Sequence, residues 1–283
     1  MNKSLSFNLS YIFHRLRLIL KINKLHIEEA GVDEDGMAFI KLIDGPFFFG
    51  TLSNKKLKKY YNLLNRKNKK KLPFECFLLA NDIIIRYLEG GLKLGGPRKE
   101  LLHEIKPGEY VAEMGSYLGH YTLYLSNKVG SKGKVIAIEP MPDNLKILKK
   151  NIKKNNLKNV IIVGKGVWHE TGTMVFQRKP DDFQSGSIDL KYSDKNSFTV
   201  DVDSLDNIIS SINIDHVDVM MIQLNGVEKQ ALMGLNSYFP KYFAIAARYS
   251  KPDENNAVEI SNILKARNYK VKIVNRNFVF AIS

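Results

Sequence analysis

Four residues carry the most readable chemistry in this chain: Glu113, Gly115, Gly119 and Glu139. Glu113 closes the short apolar run Tyr110-Val111-Ala112, and Glu139 closes a second run, Val135 to Ile138. A carboxylate at the carboxyl end of a strand offers two acceptor oxygens, which match the two vicinal hydroxyls of a ribose. That is the role expected of Glu139. Gly115 permits a tight turn with positive φ. Gly119, in the first turn of the helix that follows, lets the backbone approach a ligand, and the helix N-terminus offers free N–H groups.

The elements that must position these residues follow in order: strand, glycine turn, helix, strand, acid. A parallel sheet holds a nucleoside-bearing cofactor in this way. The spacing chooses among cofactors. Dinucleotide sites use Gly-x-Gly-x-x-Gly, with backbone amides against a pyrophosphate. Here Glu113 stands two residues before the first glycine, and no second glycine comes two residues later. An acid at that place repels a pyrophosphate. It suits a cationic amino-acid end, such as the ammonium of S-adenosylmethionine, met directly or through water. Ser116, Tyr117 and Thr122 around the turn, and Pro140 and Met141 after Glu139, complete the expected cofactor-binding set. Gly166 and Val167, on the exit of a third strand, are expected beside the adenine with Met141.

Residues 113–122 (EMGSYLGHYT), 133–160 and the turn WHETG at 168–172 resemble the FkbM family of S-adenosylmethionine-dependent methyltransferases. A second stretch of likeness lies at 199–235, and the resemblance covers roughly residues 100–283. The resemblance implies transfer of a methyl group, usually to a hydroxyl of a sugar, a glycan or a small metabolite. Where the family runs Lys-Ile-Asp-Val-Glu-Gly-x-Glu, this chain has Met221, Gln223 and Asn225 in place of Lys, Asp and the first Glu, and keeps Gly226 and Glu228. Amides donate and accept hydrogen bonds, but they are neither general bases nor strong ligands for a hard cation. Gln223, Asn225 and Glu228 are therefore expected to position the acceptor, and no metal is expected. Methyl transfer depends on alignment of acceptor and sulfur. An alcohol acceptor also loses a proton, for which His is the usual helper. His120, next to Gly119, is the candidate, ahead of His169.

The rest of the chain reads as a three-layer α/β protein. The expected fold is a Rossmann-like class I methyltransferase: a mostly parallel seven-stranded sheet with an antiparallel C-terminal hairpin strand, plus an N-terminal helical and hairpin accessory segment. Gly95-Gly96-Pro97 marks the expected boundary, giving an accessory segment at 1–97 and a cofactor-binding domain at 98–283. Val217 to Leu224 and Tyr242 to Ala247 are apolar throughout and read as strands buried on both faces. Helices are expected from Pro142, after Asn225-Gly226, over 255–268, and at 98–105. Residues 173–176 and 197–203 read as strand extensions joined by a polar loop at 179–196. In the accessory segment, residues 36–50 form a hairpin around Asp44-Gly45-Pro46, and a helix starts at Pro73 and runs to about Glu89.

Composition bounds the partners. The chain has 283 residues, 44% hydrophobic and 25% charged, enough for a real core. Its net charge of +14, from 43 Lys+Arg against 29 Asp+Glu, and the Lys/Tyr-rich run at 55–71 raise an RNA-methylating alternative. Nucleic acid is the weaker expectation, because Gln223-Leu-Asn-Gly stands where base-amine methyltransferases carry Asn/Asp-Pro-Pro-Tyr. A cofactor-binding module that has lost catalysis is the other alternative, since two carboxylates have become amides. The lone Cys76 allows no disulfide within the chain. Residues 4–25 carry apolar positions at helical spacing with Lys and Arg interleaved, a pattern that can lie on an anionic membrane. No run reaches the length of a membrane span, and no leader cleavage site follows, so a cytoplasmic location, with membrane association through 4–25, is expected.

Overall fold

The structure is a computed structural model that describes residues 25–50, 74–88, 103–179, 182–188, 197–247, 256–274 and 277–283. The basic helix at 4–25, the Lys-rich run at 55–71 and the boundary at Gly95-Gly96-Pro97 lie outside the described residues, apart from Leu25.

In chain order, Ile27–Val32 (β1), Ala38–Leu42 (β2) and Phe47–Gly50 (β3) form an antiparallel sheet in the order β1-β2-β3. The expected hairpin is the second pair, with Asp44 in the turn at a φ of 50°. Phe74–Ile83 (α1) continues directly into a π-helical turn, Ile84–Leu88. Then come Tyr110–Met114 (β4), His120–Val129 (α2), Lys134–Ile138 (β5), Pro142–Lys154 (α3), Val160–Val163 (β6) and Gly166–Val167 (β7). Gly172–Lys179 (β8), Asp182–Ile188 (β9) and Ser197–Asp203 (β10) follow, then Leu205–Ser211 (α4), Val219–Ile222 (β11), Glu228–Met233 (α5), Tyr242–Ala246 (β12), Asn256–Ala266 (α6), Lys270–Val274 (β13) and Phe278–Ile282 (β14).

The main sheet has seven strands in the order β6-β5-β4-β11-β12-β14-β13. The pairs from β6 through β12 are all parallel, and β14 runs antiparallel between β12 and β13. β11 is buried along its whole length, and β4, β5 and β12 along all but the first residue, as continuous apolar runs covered on both faces require. One face packs on α4, α5 and α6 through Ile208, Leu232 and Ile260. The other packs on α2 and α3 through Leu123, Leu125, Leu148 and Ile152.

The accessory residues share that second core: Ile40, Phe48, Leu79 and Ile83 cluster with Leu123, Ala137, Leu148 and Ile152. Edge strand β3 is closed by a helix. Asn151 accepts from Phe49 N–H (2.7 Å) and donates to Phe49 O (3.0 Å). Asn155 does the same at Phe47, at 2.7 Å each way. Two asparagines four apart on a helix stand about 6 Å apart, and alternate residues of a strand about 6.8 Å, so the two amides read two rungs of the strand.

Three expectations change. The polar loop at 179–196 holds a strand, β9, which joins β7, β10 and β8 in a four-stranded sheet. β1 has no counterpart among the elements expected from sequence. Residues 103–105, expected to end a helix, are not helical.

Candidate functional site

β4, β5 and β11 end together. The chain leaves β4 toward β5 on one side and β11 lies on the other, so the strand order reverses here, the place where open parallel sheets receive ligands at their carboxyl ends. Glu113 and Glu139 stand at this edge and are 6% and 4% exposed.

The turn between them is held by the backbone. Gly115 and Gly119 have φ values of 85° and 82°, where a side chain is strained. A Cβ on Gly115 would strike the carbonyl of Gln223, and one on Gly119 would strike the Leu148 side chain. Both glycines are thus needed for the packing of β4 against the β11 exit and of α2 against α3. Their missing side chains face protein, whereas the sequence alone suggests that the gap at Gly119 faces a ligand. Tyr117 also has positive φ, 54°, and its N–H donates to Glu139 Oε2 (2.8 Å).

Glu139 is the anchor of this turn. Its Oε1 accepts from Met141 N–H (3.0 Å) and Asn144 Nδ2 (3.2 Å). About four acceptor positions on a carboxylate minus these three leaves roughly one for another donor. Burial pushes its carboxyl up to about 7, against the pull of these hydrogen bonds. Glu113 is likewise raised to about 7, chiefly by burial and further by the Glu139 charge, although Thr122 and Ser116 hydrogen bonds and the Arg86 cation pull it down. The Thr122 hydroxyl donates to Glu113 Oε2 (2.5 Å) and the Ser116 hydroxyl to the Glu113 backbone oxygen (2.9 Å).

The remaining cofactor candidates lie just after β5 and in the four-stranded sheet. Pro140 is half-buried and Met141 buried, and Met141 joins a cluster with Met174, Phe176, Val200 and Val202 of the smaller sheet. Gly166 and Val167 are buried in β7 beside β10, and Trp168 is half-buried against that cluster.

His120 corrects an expectation. Its ring is wholly buried, with Nδ1 on Asp82 Oδ2 (2.6 Å) and Nε2 on Phe49 O (2.9 Å). Both ring nitrogens are therefore engaged by oxygens inside the protein. The ring ties the accessory segment to the start of α2 and has no nitrogen left for an acceptor's proton. Glu228 is also redirected. It is fully buried, and its carboxylate accepts from Leu224 N–H (2.9 Å) and Gly226 N–H (3.1 Å), which folds the loop after β11. Gln223 and Asn225, on that loop, are half-buried, Asn225 at a φ of 57°. Their side-chain amides make no hydrogen bond among the described residues. The His169 ring lies tilted beside Trp168, with centroids 5.1 Å apart, away from the glycine turn in sequence.

Sequence reasoning misses Asp82 and Arg86. Arg86 Nε donates to Asp82 Oδ1 (2.8 Å), and its guanidinium lies 4.3 Å from the Tyr117 ring centroid. Burial acts to raise the Asp82 carboxyl, but the Arg86 cation and the His120 hydrogen bond outweigh it and hold the group down at about 2. A signal is present in the chain: Asp82 and Arg86 are four apart in the apolar run FLLANDIIIRYL, the spacing of a helical ion pair. Among the described residues no group of three or more His, Cys, Asp or Glu is arranged to hold a metal, and no helix is long and apolar enough to cross a membrane.

Parts of this chain are similar to known proteins. The methyltransferase FkbM domain model matches residues 113–271, more than half of the chain. Protein-L-isoaspartate O-methyltransferase 1 of Archaeoglobus fulgidus is 29% identical over 116 residues, covering 37% of this chain and 51% of that protein. A tRNA (adenine(57)-N(1)/adenine(58)-N(1))-methyltransferase of Methanocaldococcus jannaschii is 46% identical over 48 residues, 17% of each chain. This chain therefore spans about half or less of those relatives. Among solved structures, a methyltransferase FkbM from Methylobacillus flagellatus aligns with a TM-score of 0.48 at 17% identity, over 81% of this chain and 59% of that one.

Proposed function

We propose that this chain, which belongs to the FkbM methyltransferase family, transfers a methyl group from S-adenosylmethionine to a hydroxyl of a sugar, glycan or small metabolite. S-adenosylmethionine is the cofactor of that family. The observation that carries the reading is the pair of buried carboxylates, Glu113 and Glu139, either side of a glycine turn at the carboxyl ends of β4 and β5. A pyrophosphate has no place between them, whereas a ligand with an ammonium at one end and a ribose diol next to it has a partner for each.

When bound, the cofactor supplies a methyl already activated on a sulfonium. The chain's own residues have the work of holding and aligning. Glu113 takes the ammonium end, with Thr122 fixing its carboxylate and Ser116 its backbone oxygen. Glu139 takes a ribose hydroxyl while its other bonds keep Tyr117 and Met141 in place. Gly115 and Gly119 set the turn, and Pro140, Met141, Gly166 and Val167 form the apolar edge for the adenine. Gln223 and Asn225 lie on the loop that touches Gly115, with amides able to donate to and accept from a polyol. Glu228 keeps their loop in shape.

A second reading is a cofactor-binding module without catalysis. It is favoured by His120 and Glu228, both of which spend their hydrogen bonds inside the protein. Incubation of the protein with cell extract and isotopically labelled S-adenosylmethionine, followed by mass spectrometry, separates the two. A labelled sugar or small hydroxylated product supports methyl transfer to oxygen. Calorimetry of Glu139→Ala tests the site itself. Losing one hydrogen bond to a charged group weakens binding roughly 10-fold or more, and unchanged affinity would remove Glu139 from the site.

A further inference from the structure

We infer that Arg86, on the accessory segment, binds the carboxylate of the cofactor's methionyl end. This rests on the cofactor reading above and names a subsite that the family match, which begins at residue 113, does not reach.

The ligand's amino-acid end is a zwitterion. Glu113 answers its ammonium, so its carboxylate needs a cation close by. The Arg86 charge pulls down the carboxyls of both Glu113 and Glu139. Its guanidinium covers the ring of Tyr117, a residue of the glycine turn. Nε of this guanidinium donates to Asp82. Neither Nη nitrogen makes a hydrogen bond among the described residues, and the side chain keeps 20% of its surface exposed. A planar guanidinium fork is the shape that receives a carboxylate.

The fork is also held in advance. Asp82 receives Nε at one oxygen and His120 at the other, and His120 is fixed in turn by Phe49 O. The chain Phe49–His120–Asp82–Arg86 runs from β3 through the start of α2 to the π-helical turn. Such turns inside helices recur at functional sites. A purely structural Arg–Asp pair needs neither the ring of Tyr117 nor the neighbourhood of two buried carboxylates.

The test compares S-adenosylmethionine with its decarboxylated analogue, which keeps the amine and lacks the carboxylate, by calorimetry on the full chain. Wild type is expected to prefer the intact cofactor by roughly 10- to 100-fold, the worth of a charge-assisted pair. Arg86→Gln should lose that preference, with the intact cofactor weakened and the analogue nearly unchanged. Circular dichroism confirms that the variant is folded. Equal loss for both ligands would make Arg86 structural and overturn the inference, as would a preference that survives the substitution. Wild type alone also decides: binding both ligands equally overturns the Arg86 subsite, whereas binding neither overturns the cofactor reading and this inference with it.

Discussion

Replacing Glu113 by Gln should make the empty protein more stable and the site useless. The carboxyl rises from an ordinary 4.5 to about 7, with burial the largest cause. At about 1.36 kcal/mol per unit, a rise of that size corresponds to about 3 kcal/mol lost when the buried group ionises. Between pH 4.5 and about 7 the folded chain holds a proton that the unfolded chain has released. The group's contribution is therefore full at low pH and disappears as pH rises through about 7. The comparison is made by melting Glu113→Gln and wild type side by side at pH 5, 6, 7 and 8. The amide can still accept from Thr122, so the variant should melt higher at pH 8 by something on the order of 5 °C. The gap should close toward pH 5, where wild type is already neutral at this position. Cofactor affinity should fall roughly 10-fold or more, because an amide answers an ammonium poorly. Equal melting temperatures at pH 8, or a gap of the same size at pH 5 and pH 8, would refute the desolvation argument.

Gly115→Ala should lose cofactor binding and be destabilised by roughly 2–4 kcal/mol, since it joins positive φ to a collision with the Gln223 carbonyl. Retained binding in calorimetry would mean that the turn yields. Asn151→Ala leaves the Phe49 N–H without its side-chain partner and removes two further bonds, to Phe49 O and Leu118 O. A loss of roughly 1–3 kcal/mol is expected in urea unfolding, with protease cutting of the accessory segment ahead of the main domain. Unchanged cutting would show that the apolar contacts alone hold it.

The sheet can be read because its strands are continuous apolar runs, and Glu113 and Glu139 can be read because each ends one. β9 is hidden because Asp182–Ile188, DFQSGSI, has neither an apolar run nor strict alternation. β1 carries Glu28 and Glu29 among its apolar residues, and pairing with β2 overrides that polarity. The site is legible in residue types and illegible in partners. His120 stands beside Gly119 in sequence, where a proton acceptor would serve. Only the fold brings Asp82 and Phe49, 38 and 71 residues away, onto its two nitrogens. Glu228 similarly matches a motif position, and nothing in the sequence says that its carboxylate turns back on the amides of Leu224 and Gly226.

The two asparagines on α3 make the accessory segment a measured attachment. A helix advances about 6.0 Å over four residues and a strand about 6.8 Å over two, so the mismatch grows by roughly 0.8 Å per rung. Two rungs tolerate it, and a long seam would not. Because side chains alternate along a strand, a shift of β3 by one residue would turn Phe48 out of the core, and a shift by two would carry Phe49 O away from His120. The joint therefore has one working register. It is also made of neutral amides, which neither acid nor salt dissolves, whereas the Arg86–Asp82–His120 link depends on an ionised Asp82. Acid strong enough to reach the Asp82 value of about 2 would loosen the ionic clasp beside the glycine turn, while the ruler on α3 kept its grip on β3.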